Sequence, residues 1–276
     1  MHVVTSYENM EMLSREVLKI CEKHSIRLSL NSDFNKMITI CSMATEINKN
    51  KDSEVMLKLC HAKRVLSAVY DCNDEADLRE PLQRIAGSVL DPSSPEPSRG
   101  KDALFELEFF QYLKAHGYKV RLGEPDIILD APFGEWYIAC KTINSSANFE
   151  KQLSSGCAQV VARGNGCVAF NLEPGKEIQN LLVLNHPNEA VEIVSEALRQ
   201  EIEEFRRHIL KKIRDGRLDG IIYVKSRFTQ FINTNTDLDV YTTVMYSSDI
   251  ANQEIDAVRR FNYLSHFQDN VINRGW

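Results

Sequence analysis

Three prolines within six residues, Pro92, Pro95 and Pro97, interrupt this chain about a third of the way along. The run Asp91-Pro92-Ser93-Ser94-Pro95-Glu96-Pro97-Ser98-Arg99-Gly100 resists helix and sheet alike. Proline has no amide donor and restricts the residue before it, while serine and glycine keep the backbone solvated. The apolar pattern differs on the two sides. Upstream it has helical spacing throughout; downstream, short alternating runs appear. The expected organisation is an all-α N-terminal domain (1–91), a linker (92–100) and a second unit of mixed elements (101–276).

Upstream, Met10, Leu13, Val17, Leu18 and Cys21 form one helical stripe. Ser32-Asp33 can cap a second helix with Met37, Ile38, Ile40 and Cys41 on its apolar face. A third begins near Ser53 and carries Val55, Leu57, Leu59, Leu66 and Val69. A fourth restarts at Asn73-Asp74 with Leu78, Leu82, Ile85, Ala86 and Val89, and Pro81 should kink or restart it. These stripes suit a small bundle, and no basic recognition helix stands out.

Downstream, Lys101 to His116 reads as a helix closed by Gly117, with Phe105, Phe109, Tyr112 and Leu113 on its main face. Glu106 precedes Phe109, Phe110 and Leu113 by helical spacings, so it points into packed surroundings, where a carboxylate needs a partner. Glu108 falls near Gln111, Tyr112 and Ala115 and reads as solvated. Strands follow at Tyr118–Leu122, Asp126–Asp130 and Glu135–Ile143, the last two a hairpin around Pro132-Phe133-Gly134. Alternation puts Asp126, Ile128 and Asp130 on one face. It likewise groups Tyr137, Ala139 and Lys141, with Trp136, Ile138 and Cys140 opposite. A lysine ending so apolar a strand is either functional or snorkelling to water.

A helix from Ser145 or Asn148 to about Arg163 carries Phe149, Leu153, Gly156 and Val160, flanked by Gln152 and Gln159. With the strand Cys167–Leu172 it completes a βαβ crossover. Leu181–Leu184 is a short apolar run of either type. Asn188–Asp215 is a long amphipathic helix, Gly220–Lys225 and Asp239–Tyr246 read as strands, and Ser248–Asn273 reads as a closing helix.

The formal net charge of −6 excludes global attraction to nucleic acid, so any such contact must be local. Arg206, Arg207, Lys211 and Lys212, on the basic second half of the long helix, are the candidate patch; the alternative is a solvated helix face. Seven scattered cysteines without a Cys-x-x-Cys pair suit reduced thiols in a cytosolic protein. Cys21 with His24 and Cys60 beside His61 fall short of a zinc ligand set. The first residues lack a signal-peptide pattern and no apolar segment reaches membrane-spanning length, so a cytoplasmic protein without membrane contact is expected. Gly-x-Gly-x-x-Gly, Walker and Gly-x-Ser-x-Gly motifs are absent, which leaves no support for the metabolic enzyme classes they mark.

Over about residues 102–171 the order helix–strand–strand–strand–helix–strand resembles the PD-(D/E)XK nuclease superfamily. The resemblance rests on Phe105-Glu106 eleven residues before Gly117-Tyr118, on Pro125-Asp126, and on Cys140-Lys141 fifteen residues after that aspartate. It implies an α/β restriction-endonuclease-like core, a mixed sheet flanked by helices, that hydrolyses DNA phosphodiesters. Mg2+, or Mn2+ in its place, would be held by Asp126, by Glu106 directly or through water, and by the Cys140 backbone carbonyl. Lys141 would orient or activate the attacking water, and Gln159 would brace the site. A homodimer with one site per subunit, or a subunit of a prokaryotic restriction or defence complex, is the assembly that follows.

The family places Asp or Glu two residues before the lysine, and this chain has Ala139 there. Three readings stay open. A carboxylate has moved in from elsewhere, with Glu150 on the next helix best placed and Glu106 or Glu108 as alternatives. Or catalysis is lost and the fold persists as a nucleic-acid-binding or partner-binding module. Or the alanine was introduced to disable a working enzyme.

Overall fold

In the computed structural model the description covers residues 7–50, 53–94, 96–172, 181–231, 239–247 and 254–265. Five helices come first: α1 (Tyr7–Lys23), α2 (Asp33–Ser42), α3 (Ala44–Asn50), α4 (Ser53–Asp71) and α5 (Arg79–Gly87). Ser32 caps α2 as its sequence suggests, its hydroxyl accepting from Asn35 N. Pro81 lies in the first turn of α5, where a missing amide costs nothing, so it restarts the helix and does not bend one.

α6 (Arg99–Ala115) begins two residues earlier than periodicity suggests. The Ser98 hydroxyl accepts from Gly100 N and Lys101 N and donates to Val89 O, which draws the end of the proline segment into the cap. α6 is buried around most of its circumference, with Leu104, Phe105, Leu107, Phe109, Phe110 and Leu113 all enclosed. A helix buried in this way must lie between two layers. On one side stand the first five helices, and on the other the sheet.

That sheet is mixed and flanked by helices, an α/β fold. Its strands are β1 (Val120–Leu122), β2 (Ile127–Ala131), β3 (Gly134–Thr142), β4 (Gly166–Asn171), β5 (Leu182–Leu184), β6 (Gly220–Phe231) and β7 (Asp239–Ser247). They run in the order β1-β2-β3-β4-β6-β5, with β7 beside β6. β1, β2 and β3 are antiparallel, β3, β4 and β6 parallel, and β7 antiparallel to β6. β6 runs further than its apolar run implies because it pairs β7 as far as Thr229 and β5 through Thr229–Phe231.

The crossover helix α7 (Phe149–Val161), after a 3-10 turn at Ser146–Asn148, joins β3 to β4. The long α8 (Pro187–Arg214) lies beside it, and Phe149 stacks on Phe205. α7 and α8 cover one sheet face over Ala139, Val168, Phe170 and Tyr223. The other face, with Trp136, Ile138, Cys140 and Ala169, shares a core with α6, with α1, α2, α4 and α5, and with α9 (Ile255–Ser265). The parts of the expected closing helix at 248–253 and 266–273 lie outside the described residues.

Glu108, expected in solvent, is half-buried instead. α4 packs across α6, and Arg64 grips both Glu108 oxygens at 2.5 and 2.7 Å. The far end of the sheet is tied by Asp219, which accepts from Trp136 Nε1 at 2.7 Å and from Arg260 at 2.7 and 2.8 Å. Asp219→Ala would orphan a buried indole N–H and a partly buried guanidinium together. Chemical denaturation should show a loss of about 3 kcal/mol; a loss under 1 kcal/mol would refute that anchoring role.

Candidate functional site

Asp126 lies immediately before β2, and the antiparallel register carried one step on from Ile127↔Ile138 sets it opposite Ala139. It is 8% exposed, and its Oδ2 accepts from Cys140 N at 2.7 Å. The Lys141 Nζ stands 3.7 Å from the same oxygen and donates to Cys140 O at 3.1 Å. Lys141 is 8% exposed, so it does not snorkel to water. Gly156 on α7 makes room for its stem: a Cβ there would sit 3.6 Å from Lys141 Cγ and 3.0 Å from both Val168 methyls.

Glu106, on α6 and only 4% exposed, lies near enough to Asp126 to raise its own proton affinity, and its Oε2 accepts from Arg84 Nη2 at 2.5 Å. One turn earlier on the same helix, Asp102 accepts from Thr142 N at 2.9 Å through Oδ1. Asp102 and Glu106 are four residues apart and so share a helix face. Asp102, Glu106, Asp126, Arg84 and Lys141 thus lie within electrostatic reach of one another between α6, the start of β2 and the end of β3, though among the described residues the three acids do not close into one metal-binding group. The hydrogen bonds that fix the acids fall on one oxygen of each.

The electrostatics show how uneasy this grouping is. Burial, with Asp126 nearby, pushes Glu106 up to about 8 against the pull of Arg84. Burial raises Asp126 to about 6, reinforced by Asp102 and opposed by Lys141, the Cys140 N–H and Arg84. Asp102 is raised by burial too, opposed by Thr142, Lys141 and Arg84. Acids crowded out of water bind protons more tightly than usual, and they would favour a cation for the same reason.

The other expected residues fall elsewhere. Glu150 lies on the outer face of α7 with its side chain 71% exposed, 3.7 Å from His208 Nδ1. Glu108 belongs to the Arg64 pair. The Cys140 carbonyl accepts from Lys141. Gln159 is half-buried on α7; its Oε1 is enclosed with no hydrogen-bond partner among the described residues, and no bond ties it to the acids. Ala139 is fully enclosed under α7. Arg206, Arg207 and Lys211 are exposed and Lys212 half-buried. Arg206, Arg207 and Lys211 line a shallow surface hollow with Glu203, Leu210, Arg214 and Asp215. α7 lies between this patch and the acids: a Cβ added at Gly156 would sit 3.6 Å from Lys141 Cγ, while the thiol of the next residue, Cys157, feels Lys212 and Arg217.

Sequence reading missed Asp102 and Arg84. The spacing of Asp102 from Glu106 was the available signal for the first. Arg84 gave none, since packing alone brings it there. Among the described residues no three His, Cys, Asp or Glu side chains form a ready-made metal cage. The donors nonetheless fit Mg2+, a hard cation held by one or two carboxylates with waters completing its shell. No helix among the described residues is long and apolar enough to cross a membrane. The chain matches no protein-family model and no curated protein sequence.

Because the folded chain binds the Glu106 proton more tightly than the ordinary value of 4.5, the folded state holds an extra proton between that value and about 8. Stability from this group is therefore greatest at low pH and declines as pH rises through the window. In chelator, the Tm of the unmodified chain should fall from pH 5 to 8 relative to Glu106→Gln. Parallel Tm profiles for the two chains would contradict this.

Proposed function

We propose that this chain is a divalent-cation-dependent nuclease of the PD-(D/E)XK type, hydrolysing phosphodiester bonds in DNA. On this reading residues 101–276 are a restriction-endonuclease-like unit and the first five helices an all-α N-terminal domain. The observation that carries it is the contact between Asp126 and Lys141 across β2 and β3, with Glu106 of α6 close to Asp126. A buried lysine beside a buried aspartate is costly unless the pair has a use. Asp102 answers the gap at Ala139. It brings a third carboxylate to the cluster from the helix, while Ala139 packs in the core.

In this account Asp126, Glu106 and Asp102 would hold Mg2+ or Mn2+ through oxygens and water, and the bound ion would supply Lewis acidity at a phosphate oxygen. The chain's own groups do the rest. The Lys141 amine orients the attacking water and offsets negative charge as the fifth oxygen closes on phosphorus. The Cys140 N–H and the Lys141 amine fix Asp126 on one side, leaving its other oxygen for ligand. The low exposure of the cluster strengthens each interaction. Arg206, Arg207 and Lys211 would track the nucleic-acid backbone, and cutting both strands would use two copies of the chain. A role in prokaryotic restriction or defence follows from the resemblance alone.

The test is cleavage of plasmid and single-stranded DNA with Mg2+ or Mn2+. Asp126→Asn and Lys141→Ala should lower the rate by about 10^2- to 10^4-fold, the range for a lost catalytic group. Asp102→Asn should lower it at least about tenfold on the same basis, while Glu150→Gln leaves it unchanged. Cleavage that survives Asp126→Asn would overturn the assignment. Intact DNA binding without any cleavage by the unmodified chain would replace it with a binding module.

A further inference from the structure

The positive charge that meets Glu106 comes from outside the strand-bearing part of the chain. Arg84 lies in the last turn of α5. Its Nη2 donates to Glu106 Oε2 at 2.5 Å, and its Nε donates to Glu80 Oε2 at 2.8 Å. The guanidinium is thus forked between two carboxylates, one exposed and one buried, with its side chain 17% exposed. A planar fork fixes direction as well as charge, which an ammonium does not.

The fold invests in this placement. α5 and α6 meet at Gly100, where an added Cβ would sit 2.7 Å from Ser88 Cβ, 2.9 Å from Leu90 Cδ2 and 3.2 Å from Arg84 O. Real Cβ atoms are not found so near backbone and short side chains, so glycine is what lets the end of α5 close on the start of α6. That closure delivers Arg84 to Glu106. Among the described residues Arg84 is the basic partner of Glu106, while Lys141 is engaged by Asp126 and Cys140 O, and Lys101 by Ser94 O and Asn144 Oδ1.

We infer that Arg84 is a positioning residue of the acid cluster: the helices before the proline segment hold Glu106 in place against Asp126 and thereby set how the cluster binds a divalent cation. This rests on the cation-dependent reading above. Arg84 acts through Glu106, which makes the coupling between them measurable.

The experiment is Mn2+ binding to the full chain by calorimetry and electron paramagnetic resonance, without nucleic acid. It compares the unmodified protein with Arg84→Gln, Arg84→Lys, Glu106→Gln and the Arg84→Gln/Glu106→Gln double variant. Arg84→Gln should raise the Mn2+ Kd by about fivefold or more when Glu106 is present and by less than about twofold when it is glutamine, the signature of two residues acting as one unit; a lowered Kd would overturn the inference. Arg84→Lys, which keeps the charge and folding but loses the fork, should restore part of the affinity. Equal effects in both backgrounds, or a lowered Tm with unchanged Kd, would overturn the inference and leave the nuclease reading standing. Failure of the unmodified chain to bind Mn2+ would overturn both.

Discussion

Two buried carboxylates, Glu106 and Asp126, and the half-buried Asp102 are kept from water beside Arg84 and Lys141, and the packing around them has to meet that cost. Asp102, Glu106 and Asp126 are held by Thr142 N, Arg84 and Cys140 N respectively, with Lys141 beside Asp126. Taking ions out of water costs several kcal/mol each, and partners recover that only where geometry is good. That cost appears as raised proton affinities at all three acids, caused first by burial, and on the reading proposed above a divalent cation would offset it.

α6 can carry so unfavourable a face because the rest of it is committed. Leu104, Phe105, Leu107, Phe109, Phe110 and Leu113 are enclosed between the first helices and the sheet. A fully buried side chain of this kind contributes about 1.5–3 kcal/mol, so the helix is fixed well before its acids have a say. β3 works in the same way. Trp136 and Ile138 on one face and Ala139 on the other sit in two different cores, so the strand cannot shift to relieve Lys141. Rigid elements that hold costly groups in register are what a preorganised site requires.

Residues whose positions follow from local period were readable in the sequence: Glu106 on a packed helix face, Lys141 on β3, and Asp126, which falls one residue before β2 and not on the strand as the alternation suggests. Asp102 was harder to see because an acid in the first turn of a helix is ordinarily explained by the helix dipole. Arg84 and Arg64 lie 22 and 44 residues from the acids they meet, and the packing of α5 and α4 on α6 brings them there. That also explains why Glu108 reads as solvated yet is half-buried against Arg64. Glu150 illustrates the reverse error. Proximity in sequence to Lys141 suggested a ligand, but the helix that follows the strand turns this residue outward to His208. Strand lengths such as that of β6 depend on partners distant in the chain, so apolar runs underestimate them.

We propose that the acids between α6 and β3 hold a divalent cation. Crystals grown with Mn2+ and measured for anomalous scattering test it most directly. The account predicts a peak at roughly 2.0–2.3 Å from an oxygen of Asp126, the range for hard divalent ions on carboxylates, with Glu106 or Asp102 as a further direct or water-bridged ligand. A map with no peak at these acids, and with the Arg84–Glu106 and Lys141–Asp126 contacts unaltered, would contradict it.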